Sequence, residues 1–67
     1  MEDEFEARYI QRGNVVVAVN GILLPAPFTV KTIHRGIVFI YLKDTKGSEH
    51  SFMLDSNVRI DYNANSR

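Results

Sequence analysis

Apolar residues along this chain recur mostly with a period of two, and turn residues interrupt them. Such alternation puts one side of an extended segment in a core and the other in water. Val15 to Val19 is a β-branched run with strong strand preference. Asn20-Gly21 follows, a pair suited to a type I′ hairpin, whose two central residues need positive φ. Ile22-Leu23-Leu24 begins the return strand. Pro25 and Pro27 cannot donate to a ladder, so they predict a bulge or a bend on an edge. Phe28 to Ile33 resumes the extended pattern, and His34-Arg35-Gly36 reads as the next turn.

Ile37 to Leu42 is apolar on both faces, with Ile37, Phe39 and Tyr41 on one and Val38, Ile40 and Leu42 on the other. A strand of that kind is central in its sheet, or turns one face to another subunit. Lys43 to Glu49 reads as a polar hairpin loop in which Gly47 supplies positive φ. His50 to Leu54 alternates again, Asp55-Ser56-Asn57 is a tight polar turn, and Val58 to Tyr62 is a clean alternating strand. Residues 63–67 form a polar tail.

Before these strands, residues 1–12 read as either a short helix or a frayed tail. Glu, Ala, Arg and Gln favour a helix, Phe5, Tyr9 and Arg12 share one helical face, and acids open the segment. A helix this short needs packing against the body. The expectation is therefore a mainly β, single-domain chain: five strands over residues 14–62 in a small, strongly bent antiparallel barrel of Sm-like or SH3-like kind, with a short N-terminal helix or a frayed tail in front.

Size sharpens the picture. A chain of 67 residues buries only about 60% of its unfolded surface, so its core is marginal. It has no cysteine, which excludes disulfides and thiolate metal sites, and two histidines alone do not build a structural zinc site. Assembly is the remaining staple, and the apolar edge strand Val58-Ile60-Tyr62 together with the two-faced strand predicts a homo-oligomer. No apolar run spans a membrane and the first residues are acidic, so a cytoplasmic location is expected.

Net charge is zero but unevenly placed. Glu2, Asp3, Glu4 and Glu6 are half of the eight acids, and residues 7–67 carry the other four against all eight basic residues, a balance of +4. That is far short of a strong duplex-DNA binder and suits a few phosphate contacts, or simply a solvated surface with an acidic tail.

No catalytic constellation, phosphate loop or cofactor motif is recognisable, so no enzyme activity is expected. Ser48-Glu49-His50-Ser51 contains a serine, an acid and a histidine, but neighbours in a hairpin do not give triad geometry. His34 and Arg35 can stack on a base and bind phosphate, or serve as a plain polar turn. Asp55-Ser56-Asn57 can read a base edge, or close a hairpin through side-chain turn chemistry.

The order of parts resembles the Sm-like family, including its Hfq-type members. Val19-Asn20-Gly21-Ile22 looks like the "VNGI" turn of Hfq-type sequences. Ile37 to Asp44 resembles the family's hydrophobic strand ending in "LKN" or "LED", and Phe52 to Ile60 resembles the second Sm motif, "FIRGNNVRYI". The similarity covers about residues 14–62. Asp55-Ser56 stands where the family has Arg-Gly, and the "YKH" signature is absent. The resemblance implies a ring of subunits, joined between the fourth and fifth strands, with single-stranded RNA at two loops facing the pore. Matched here, the RNA-binding candidates are His34, Arg35, Asp55, Ser56 and Asn57, of which only Asn57 coincides with a family residue. Asp55 places a negative charge where phosphate would lie. Beside this reading stands an SH3-like protein-interaction or structural oligomerisation module without nucleic acid.

Overall fold

A computed structural model of the chain describes residues 2–61, the side chain of Glu2 excepted. It consists of six antiparallel strands: β1 (Glu2–Glu6), β2 (Val15–Val19), β3 (Ile22–Arg35), β4 (Phe39–Asp44), β5 (Glu49–Met53) and β6 (Asn57–Asp61). One 3-10 turn, Ala7–Tyr9, follows β1. The strands form a single sheet in the order β1-β6-β2-β3-β4-β5, which is not closed. The predicted tail, residues 63–67, and Tyr62 lie outside the described residues.

Six strands replace the expected five, because residues 2–6 are a strand and not a helix; no α-helix occurs among the described residues. Helix propensity in so short a segment is weak beside a ready partner. Here β6 provides it: Phe5 pairs with Val58, and Glu4 with Arg59. Ala7 and Ile10 are then fully buried, so this segment completes the core instead of fraying. The same pairing corrects a second expectation. Strand β6 is not an apolar edge, since β1 covers it and Val58 and Ile60 are buried.

The Asn20-Gly21 hairpin forms as expected, with φ of 51° and 79°. Pro25 and Pro27 lie within one continuous β3, which is interior to the sheet and not an edge. The bulge they predict is present: between the pairs Ala18–Leu23 and Val16–Phe28, β2 advances two residues and β3 five. Leu24 to Pro27 occupy the slack, so neither proline has to donate there. Past this bulge β3 pairs with β4 and thereby serves both halves of the sheet.

Ile10, Val16, Val30, Ile40, Val58 and Ile60 are the largest fully buried side chains, and they share one cluster drawn from both halves. Burying each stabilises by about 1.5–3 kcal/mol. The 3-10 segment after β1 meets the turn between β5 and β6 at a corner. There Ala7 N–H donates to Ser56 O at 2.7 Å and Arg8 N–H to Leu54 O at 3.0 Å.

Candidate functional site

Alternation along β3 separates two residues that the sequence places in one turn. His34 and Arg35 are the last residues of the strand, so they point to opposite faces. Arg35 pairs with Ile40, whose side chain is buried, and reaches along the core side to the rim. Its Nε–H donates to Arg8 O at 3.0 Å and its second guanidinium nitrogen to Ile10 O at 2.5 Å. The arginine thus holds the 3-10 segment against β3.

The turn Asp55-Ser56-Asn57 meets the same corner. Ser56 accepts from Ala7, and its N–H donates to Met53 O at 3.0 Å. Asn57 N–H donates to the side-chain oxygen of Asn20 at 2.9 Å. Asp55 is exposed at the tip. Arg35 and this turn are therefore neighbours through the Arg8 backbone, while His34 lies on the other face.

On that outer face His34 joins a different set. It pairs with Tyr41, and their rings are 6.1 Å apart. Thr32, His34, Tyr41, Lys43, Glu49 and Ser51 line a shallow hollow of about 630 Å³ across β3, β4 and β5. The alternation of β4 is complete: Ile40, Leu42 and Asp44 are buried, whereas Phe39, Tyr41 and Lys43 are exposed. Exposure is 43% for Phe39, 49% for Tyr41, 47% for Met53 and 96% for Ile37, the last in the turn before β4. Phe39, Tyr41 and Met53 thus form an exposed apolar patch on the outer face of β4 and β5.

Strand β5 ends the sheet on this face, and no strand among the described residues pairs with its outer backbone. Asp44 N–H donates to Ser48 O and Leu54 N–H to Val38 O, which fixes the phase of the β4–β5 ladder. Antiparallel bonding alternates. His50 and Phe52 therefore turn their main-chain groups to β4, and Glu49, Ser51 and Met53 turn theirs away. Of those, Met53 O is taken by Ser56.

A buried polar group escaped sequence reasoning. Asp44 is buried and accepts from Lys46 N–H at 2.8 Å, Ser48 N–H at 2.9 Å and His50 Nε2–H at 2.9 Å. The hydrogen bond from His50 holds its carboxyl below the usual carboxylate range; burial works the other way, and the Ser48 and Lys46 amides add to the lowering. The His50 ring lies flat on Phe28 at 3.7 Å. The turn was legible: an aspartate three residues before a glycine suits a type I turn with a following left-handed residue, and Gly47 has φ of 89°. Its pairing with His50 was not, since it depends on the strand register. The arrangement braces a hairpin, and no group of three or more metal-ligating side chains converges among the described residues. Nor is any helix among them long and apolar enough to cross a membrane.

Compared with models of protein families, with curated proteins and with solved structures, the chain matches none.

Proposed function

We propose that this chain is a small, strongly bent β-barrel of Sm-like or SH3-like kind that works as a protein-interaction module, taking an extended strand onto the edge of β5. Five strands in the order β6-β2-β3-β4-β5, in which β6, the last along the chain, returns to pair with β2, support the barrel reading. The observation that carries the function is the open β5 edge beside exposed Phe39, Tyr41 and Met53. Main-chain bonds to such an edge give affinity, and the neighbouring side chains give selectivity. A display selection of random linear peptides tests this. Binders are expected to read as strands, to be abolished by Ser51→Pro and to be weakened by Tyr41→Ala. Binders indifferent to both would overturn it.

RNA binding is the second reading, favoured by His34 and Tyr41 on one face with Lys43 beside them. Stacked rings and a cation suit a splayed base and its phosphate. This places the contact on the strand face and not at the two turns, where Arg35 already serves backbone carbonyls. Ring closure through β6 is also less favoured, because β1 occupies that edge. Fluorescence anisotropy with short oligo-U and oligo-A at low salt decides it. Binding should weaken with salt and with Tyr41→Ala, and the absence of binding at tens of micromolar (an order-of-magnitude ceiling for a useful site) leaves the protein-interaction reading alone.

A further inference from the structure

The sheet has two ends, and their chemistry differs. Strand β1 reads Glu-Asp-Glu-Phe-Glu, four acids in five residues. A second copy of β1 beside it would set carboxylates opposite carboxylates, which opposes pairing. Strand β5 reads Glu-His-Ser-Phe-Met, with no proline, no lysine and one acid, and that acid faces Lys43 across the ladder. It lacks the usual protections of an edge strand.

We infer that the strand taken by β5 is the β5 of a second copy, paired antiparallel about a two-fold axis at Ser51; this rests on the strand-addition reading above. The register follows from the outward backbone groups. Ser51 meets the partner's Ser51, and Glu49 meets the partner's Met53, whose N–H is outward while its carbonyl already accepts from Ser56. Carried back through the β4 register, the middle row reads Tyr41, Ser51, the partner's Ser51, the partner's Tyr41. The flanking row reads Lys43, Glu49, the partner's Met53, the partner's Phe39. Each Glu49 stays across the ladder from its own Lys43 and meets a thioether, and no charge meets a like charge. Small serines at the axis let the two backbones approach without a clash. Two-fold pairing of this kind is closed, so assembly stops at a dimer.

The test uses the whole chain. Light scattering or native mass spectrometry of the parent at micromolar concentration is expected to give two subunits. Ser51→Pro removes an N–H that points away from β4, so it should spare the fold, checked by circular dichroism, while raising the dimer dissociation constant by about tenfold or more. Because the chain has no cysteine, Ser51→Cys gives an independent reading. Directly opposed residues in an antiparallel pair lie about 5.5 Å apart at Cα, within disulfide reach. Mild oxidation should convert Ser51→Cys to a covalent dimer much faster than Glu4→Cys on the β1 edge. A parent that stays monomeric, or equal rates for the two cysteines, overturns the self-pairing while the peptide selection still stands or falls alone. A dimer that Ser51→Pro leaves intact, with that variant folded, overturns it as well.

Discussion

Asn20 and Asn57, 37 positions apart, hold each other through main chain and side chain: Asn57 N–H donates to Asn20 Oδ1 at 2.9 Å, and Asn20 N–H donates to Asn57 O at 2.6 Å. The first hairpin is thereby locked to the start of β6. Asn20 also holds φ at 51°, where asparagine is tolerated better than most residues. Asn20→Ala removes the side-chain acceptor and adds backbone strain. It should destabilise by about 1–2 kcal/mol in urea unfolding.

Gly21 takes the second central position of the same turn, at φ 79°. A Cβ there would meet no atom within 4 Å, so the cost of a side chain is in the backbone alone. Gly21→Val should destabilise by more than about 1 kcal/mol. A melting temperature equal to that of the parent would contradict the turn assignment.

Arg35 separates a structural role from a nucleic-acid role. Its guanidinium bonds to two carbonyls of the segment after β1. Arg35→Ala should cost about 1–2 kcal/mol of stability, with faster amide exchange at Ala7 and Arg8. Arg35→Lys should recover little, because an ammonium lacks the planar fork. If stability were unchanged while RNA affinity fell, the arginine would belong to a binding site.

Acid sensitivity should trace to Asp44. Its folded-state carboxyl titrates below the ordinary value of 3.8, owing first to the hydrogen bond from His50. The unfolded chain therefore binds the proton more readily, and stability rises with pH through that range. The contribution is complete above about pH 4 and is lost as pH falls through the lowered value. Asp44→Asn should be less stable than the parent at neutral pH and flatter below pH 4. Parallel acid-unfolding curves for the two would place the sensitivity elsewhere.

Period-two alternation and turn chemistry were enough to find β2, β4, β5, β6 and the Asn20-Gly21 hairpin, because local sterics and one-sided burial determine them. They also located the slack at Pro25 and Pro27, since a missing N–H is a local fact. Residues 2–6 went the other way. Their glutamates, followed by Ala7 and Arg8, favour a helix in isolation, and only the presence of β6 as a pairing partner makes them a strand. That one change moves β6 from the edge to the interior and leaves β5 as the weakly guarded end. The division of His34 from Arg35, the reach of Arg35 to carbonyls 25 and 27 residues away, and the Asp44–His50 contact were likewise decided by tertiary structure. Each depends on strand phase and register, and a one-residue change of register exchanges the faces of every side chain in a strand.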